Sequence, residues 1–455
     1  MKKLLIAAVL FFQFSTGKAQ QDDSLFIRRL ATEILVNGRS YEDLRVLTKT
    51  IGARLAGSPQ MVKAEQWGLR TMQLLSPDKA WLQACQVPHW VRGGTDAVQI
   101  SYGKSSRSID VLALGNSAGT PAGGVRAPVL MVNSFEDLAK KKDSVKGKIV
   151  FFNYPFDPTY VRTFESYRDA VRYRGQGPSE AAKLGAVGVL VRSMSHSTDN
   201  HPHTGSTRYD STYPLIPAVA VGLKDADWLA QAAGKGTPLS AFVRTYGKFL
   251  PDTTGHNVIA EIRGSEFPDQ YITIGGHLDS WDVGEGAHDD GAGCVQTIEI
   301  LRAFRALNYK PKHTIRFVLF ANEENGLRGG TAYADEAKAK GEKHIFALES
   351  DAGGFTPRGF GVSATDNQYA KIAAWQPLLA PYGATEITKG GGGADIGPLA
   401  RTQSTPVAGL SPDSQRYFDL HHARNDVFEA VNKRELQLGA VNMAALVYLV
   451  DKYGL

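Results

Sequence analysis

Two cysteines in 455 residues, Cys85 and Cys294, are too few and too far apart for a disulfide framework or for the clustered thiolates of a structural zinc site. Cys294 opens an apolar helical pattern and reads as a small buried residue rather than half of a bridge. Beyond the N-terminus no apolar run reaches the roughly 18 to 20 residues that span a bilayer. An excess of one charge sign is also missing. The net charge is +5, and removing Lys2, Lys3 and Lys18 with a leader would leave +2, which gives no reason to invoke nucleic acid. The run Ala139-Lys-Lys-Lys is then a solvated face.

What is present is an ordinary globular composition, 43% hydrophobic and 21% charged, in a chain long enough for two domains. Residues 1–19 carry Lys2-Lys3, the apolar run Leu4 to Phe12, and Gly17-Lys18-Ala19 before Gln20. That pattern predicts an export signal cleaved after Ala19, and a periplasmic or secreted, soluble mature chain. No cysteine follows the cleavage point, so no bacterial-type lipid anchor is expected.

Three short β-branched or aromatic runs each end where polar residues begin: Tyr271-Ile-Thr-Ile-Gly275, Thr314 to Ala321, and His344-Ile-Phe-Ala-Leu348. Beside them stand His277-Leu-Asp279, His288-Asp289-Asp290-Gly-Ala-Gly, Asn322-Glu323-Glu324, and Glu349-Ser350-Asp351. Val295, Ile298, Leu301 and Phe304 follow at helical spacing, which places Asp289 on a strand-to-helix loop. Ligands of open α/β sheets bind outside the carboxyl ends of strands, so the clusters should converge on one crevice.

The residue types point to metal chemistry. A divalent ion of zinc's class takes imidazole nitrogen and carboxylate oxygen, and a catalytic site leaves one position open. Two such ions about 3.5 to 4 Å apart can hold a nucleophile and the developing charge of a carbonyl substrate. Asp289, Glu324 and Asp351 with one hydroxide would balance two dications. A ligating imidazole gives its second N–H to an acceptor, and the Asp279 carboxylate is the expected one for His277. Glu323 and Glu324, at a strand end, should diverge, one toward metal and the other toward its water.

These motifs resemble the co-catalytic zinc exopeptidases of peptidase family M28, with a carboxypeptidase-type branch nearest. The resemblance implies a last ligand four residues before an acid, which His422-Ala-Arg-Asn-Asp426 provides. One zinc would take His277, Asp289 and Asp351, the other Asp289, Glu324 and His422, with Asp289 as bridge. Glu323 would be the general base toward the activated water, Asp279 the residue orienting His277, and His421 a group polarising the scissile carbonyl. The Asp289–Asp290 peptide bond is expected to be cis. Dipeptides or short peptides are the implied substrates, with aminopeptidase specificity as the alternative and a homodimer possible. Cobalt or manganese could replace zinc in a site of nitrogen and oxygen ligands alone.

The implied fold is α/β, a mixed β-sheet flanked by helices, with an inserted β-rich protease-associated domain. Residues 20–115 and 247–455 are assigned to the catalytic domain and 116–246 to the insert. Within the insert, Pro128 to Asn133, Lys148 to Phe152, Ala186 to Val191 and Ile216 to Val221 read as strands and Ser179 to Leu184 as a helix. An insert beside the crevice would limit substrates to short peptides; a purely structural appendage is the plainer reading. His196, His201 and His203 read as exposed loop residues. The flexible stretch Gly390 to Gly393 suits a substrate-facing wall, where Asp395 would bind a substrate terminus.

Two other classes compete. Gly115-Asn-Ser117-Ala-Gly119 matches the serine-hydrolase elbow, but Pro121 and the glycines after it cannot start the helix that elbow requires. A binding protein on a degenerate peptidase scaffold would be expected to lack the base or a ligand, and this chain retains both.

Overall fold

Runs of β-branched and aromatic residues punctuated by turns build two separate eight-stranded sheets. The structure, a computed structural model, describes residues 21–236 and 238–455; the expected leader lies outside them. In chain order the strands are β1 (Lys79–Val91), β2 (Ala97–Tyr102), β3 (Ser105–Ile109), β4 (Val111–Ala113), β5 (Val125–Val132), β6 (Ile149–Phe152), β7 (Gly188–Arg192) and β8 (Ala218–Val221). There follow β9 (Leu239–Arg244), β10 (Lys248–Ile262), β11 (Phe267–His277), β12 (His313–Phe320), β13 (Lys343–Glu349), β14 (Pro357–Ser363), β15 (Glu386–Lys389) and β16 (Val407–Pro412).

The first sheet has the order β1-β10-β12-β11-β13-β16-β14-β15. Its centre, β12-β11-β13-β16, is parallel. Parallel strands covered on both faces read as unbroken apolar runs, and every residue of β12 is buried. The helices Ala292–Ala306 and Lys433–Tyr453 pack together on the sheet and bury Val295, Ile298 and Leu301 with Val441, Leu446 and Val450. From β11 the chain crosses to β12 on one side and then to β13 on the other. That reversal opens a crevice at the carboxyl ends of β11, β12 and β13.

The second sheet has the order β3-β2-β9-β5-β6-β7-β8-β4. Its strands β5 to β8 are parallel and connected through helices such as Thr163–Gly175 and Gly177–Lys183, so this unit is itself α/β. Strands β2 to β4 pair into it, which carries the sheet upstream of residue 116 to Ala97. The long antiparallel pair β1 and β10 brackets the unit and anchors it to the first sheet. At the N-terminal side, Pro59–Leu74 is a helix whose first turn is closed by Ser58 Oγ accepting from Met61 N at 3.1 Å, with Pro59 at the first helical position. Among the described residues no helix is long and apolar enough to cross a membrane, and both cysteines are buried and unpaired.

Candidate active site

His277 ends β11, and its backbone N–H donates to Asp290 Oδ2 at 3.0 Å. Gly276 makes this possible: a Cβ there would stand 2.5 Å from the same Asp290 oxygen. The other oxygen, Asp290 Oδ1, accepts from Gly293 N at 2.9 Å at the start of the helix Ala292–Ala306. Asp290 is thus occupied with backbone, whereas Asp289 projects into the crevice. The peptide bond between the two is cis.

The Nδ1–H of His277 donates to the main-chain carbonyl of Asp279 at 3.0 Å, while the Asp279 carboxylate is 3.7 Å away. This corrects the expected contact, because the Asp279 carboxylate is committed elsewhere. It accepts from Glu323 N at 3.0 Å and Glu324 N at 3.3 Å. The two glutamates lie not on β12 but in the turn after it, which Asn322 enters with φ 62°. That turn, rather than strand alternation, separates their side chains. With its proton on Nδ1, His277 presents Nε2 to Asp289 Oδ1 at 3.1 Å and to Asp351 Oδ1 at 3.3 Å.

His422 follows the short helix Tyr417–Leu420 and has φ 61°. Its Nδ1 faces the Thr204 carbonyl at 3.3 Å. Its Nε2 faces Asp289 Oδ2 at 3.2 Å and Glu324 Oε2 at 3.1 Å. The two oxygens of Asp289 are therefore divided between two imidazoles. His421 stacks on His422 with ring centroids 3.5 Å apart, and its Nε2 is 3.7 Å from Asp289 Oδ2. His422 is the better placed of the pair for a shared ion. Asp426, four residues on, accepts from His288 N and Asp289 N at 2.8 and 3.1 Å and so fixes the loop that carries Asp289.

The electrostatics are those of a cation site. Burial opposes charge on Asp289, but His277 and His422 outweigh it and hold its carboxyl well below the usual range. Burial and the Asp289 charge push Glu324 up to about 7, and burial with Asp351 and Glu324 nearby pushes Glu323 well above its ordinary value. Burial also works against protonated His277, yet Asp351, Asp279 and Asp289 raise it well above normal. Acids crowded this closely hold protons that a bound cation would displace. Asp289 Oδ2 and Glu324 Oε1 are buried without a hydrogen-bond partner. Donor atoms 3.1 to 3.3 Å apart match the spacing of about 3.3 Å between tetrahedral ligands at zinc's bond lengths. The residues fit a divalent metal.

Three expectations are corrected. Asp395 is 0% exposed and lies beneath β13, its backbone N–H beside Glu349 rather than facing the crevice. The Gly390 to Gly393 loop is not among the residues lining the crevice; its glycines let it approach Gly361 of β14, Gly409 of β16 and the Glu349 side chain closely. His203 is 3% exposed, with Nδ1 donating to the His421 carbonyl at 2.7 Å; it supports the site from the second sheet. Ser117 is buried, its Oγ accepting from Ala218 N at 2.9 Å, and no helix follows it, so the elbow motif is a loop.

The crevice has a volume of about 1050 Å³. Asp289, Glu323, Glu324, Asp351, His421 and His422 line one wall, and Tyr167, Arg174 and Arg208 of the second-sheet unit line the other. Sequence reading missed Arg174, Thr204 and His203 as neighbours of the site, since nothing in the pattern of an amphipathic helix or a polar loop marks them.

An α/β sheet that gathers imidazoles and carboxylates at its parallel strand ends, with one glutamate held apart from them, defines a metallohydrolase. The model of peptidase family M28 matches residues 257–447. Carboxypeptidase Q of Homo sapiens is 36% identical over 424 residues, covering 93% of this chain and 88% of that protein. Carboxypeptidase Q of Mus musculus is 34% identical over 430 residues, covering 94% and 89%. The chain belongs to peptidase family M28 and is a metallo-exopeptidase. The structure of a peptidase M28 precursor from Shewanella amazonensis SB2B superimposes with a TM-score of 0.88 at 31% identity, covering 95% of this chain and 97% of that one. An aminopeptidase from Aneurinibacillus sp. strain AM-1 shares the fold, with a TM-score of 0.63 at 21% identity over 92% and 95%.

Proposed function

We propose that the protein is an exported two-zinc exopeptidase that hydrolyses dipeptides or short peptides. The observation that carries this reading is the division of the two Asp289 oxygens between His277 and His422. His277, Asp289 and Asp351 would hold one ion, and Asp289, Glu324 and His422 the other, with cobalt or manganese as substitutes. When bound, such ions supply Lewis acidity toward a carbonyl and ease the ionisation of water.

The remaining work belongs to the chain. Glu323 lines the crevice beside Asp351 without being bound to either histidine. It takes a proton from the attacking water and passes it to the leaving amine. Burial and neighbouring His422 hold His421 well below its usual pKa, so its ring is neutral and can give an N–H to the scissile carbonyl oxygen. Asp279 keeps His277 and the Glu323-Glu324 backbone in register. The second-sheet unit, which we take as the protease-associated insert, walls the crevice and favours short substrates. Export rests on the leader features of residues 1–19.

The test is metal stoichiometry together with activity. Two zinc ions per chain are expected, with dipeptide hydrolysis lost on chelation and restored by zinc. A single ion per fully active chain, or hydrolysis by the stripped protein, overturns the reading.

A further inference from the structure

Arg174 lies on the helix Thr163–Gly175 of the second-sheet unit, two turns after Tyr167 and on the same face. It is 6% exposed. Its Nη2 donates to Tyr167 Oη at 2.6 Å and its Nη1 to the Thr204 carbonyl at 3.3 Å, while its buried Nε has no partner. Among the described residues no carboxylate pairs with it. A buried guanidinium satisfied only by neutral oxygens is costly, and removing one partner of a buried charge pair leaves such a group. The protein retains this arrangement on the wall of its crevice.

The surroundings show what would complete it. Arg172 and Arg208, both exposed, line the same crevice, opposite Asp289, Glu323, Glu324 and Asp351. The crevice thus has one cationic and one acidic wall. Arg174 Nη1 stands 3.3 Å from Nδ1 of His422, whose Nε2 faces the acidic cluster. The guanidinium is therefore one imidazole ring away from the reacting centre. A peptide advances about 3.8 Å per residue, so an anion reaching Arg174 belongs to the residue directly after the scissile bond. Gly205 lets the loop of the second-sheet unit pack against this pair: its φ is 122°, and a Cβ there would stand 2.4 Å from the guanidinium carbon and 2.6 Å from His422 Nδ1.

We propose that Arg174 binds the α-carboxylate of the substrate's C-terminal residue, so that the bond cut is the last one of the peptide. This rests on the peptidase reading above and adds the terminus that is recognised. The planar fork of arginine suits a carboxylate, and a free amide or a longer chain at that point would leave the charge buried and unpaired.

The test compares alanyl-alanine with its C-terminal amide. In the zinc-loaded wild type, amidation should lower kcat/KM on the order of 100-fold or more. R174Q should lose a similar factor on the acid and little on the amide, while R174K, with charge but no fork, should retain an intermediate preference. Calorimetry on zinc-loaded E323Q should show binding of the acid, weakened in E323Q/R174Q to the level of the amide. If wild type cleaves amide and acid equally, or if R174Q slows both by the same factor, the assignment is wrong. Should R174Q not fold, R174K carries the comparison: an acid-to-amide ratio narrowed from the wild-type value supports the assignment, and an unchanged ratio overturns it. Should E323Q still turn over, the base assignment fails, while the acid-to-amide ratio in wild type and R174Q continues to judge Arg174.

Discussion

The Asp279 carboxylate accepts the backbone N–H of Glu323 at 3.0 Å, and through it the residue beside one proposed ligand also positions the proposed base. Its second oxygen accepts from Glu324 N, so β11 and the turn after β12 are joined at one buried side chain. Asp279→Ala should therefore disturb both ligand halves. Zinc affinity or kcat, or both, should fall by about 10- to 100-fold, measured by competitive zinc titration and steady-state kinetics. Unchanged values in both assays would remove Asp279 from its positioning role.

Glu323 and Asp289 separate chemistry from binding. Glu323→Gln should keep the metal content of wild type and lose turnover by about 100- to 10,000-fold. Asp289→Ala, which removes both oxygens of the divided carboxylate, should lose metal itself. Elemental analysis beside a kcat measurement checks both, and a fully metallated Asp289→Ala protein would contradict the bridge.

Asp395 offers the opposite outcome. It is fully buried behind Glu349 and does not line the crevice. Asp395→Asn should leave KM for a dipeptide unchanged. A rise in KM without loss of metal would return Asp395 to the substrate site.

A pH effect follows from Glu342, far from the crevice. Burial opposes its charge, but His344 and the two-pronged contact of Arg316, at 2.5 and 3.0 Å, lower its pKa to about 2. The unfolded chain titrates near 4.5, so the unfolded state binds the proton first on acidification. The stabilisation is complete above pH 4.5 and is lost as pH falls from there toward 2. Denaturant titrations at pH 7 and pH 3 should show Glu342→Gln destabilised at the higher pH and with a flatter acid limb. Equal losses at both values would refute the linkage.

The candidate ligands were legible because their chemistry is local. His277, Glu324 and Asp351 each stand just after a run whose apolar character marks a buried parallel strand, Asp289 stands just before an apolar helix, and strand ends of that kind share a crevice. His422 needed the family resemblance, since no strand precedes it directly. Asp395 was misplaced because a run of glycines signals freedom of the backbone, not which side of the sheet it will take. β10 was missed for a related reason: its first part, Lys248 to Thr254, is exposed or half-buried and carries Pro251, so only its end looks like a core strand.

The amino-acid sequence by itself determined the kinds of donor atoms, the strands that carry them and the family to which the chain belongs, because hydrophobic periodicity and ligand chemistry are written residue by residue. Only the tertiary structure decided that the Asp279 carboxylate holds backbone instead of the imidazole, that Asp395 is buried, and that Arg174, Thr204 and His203 meet His421 and His422. Those contacts join segments more than 200 residues apart across two sheets. Their distances depend on how the units pack, and no local pattern encodes that.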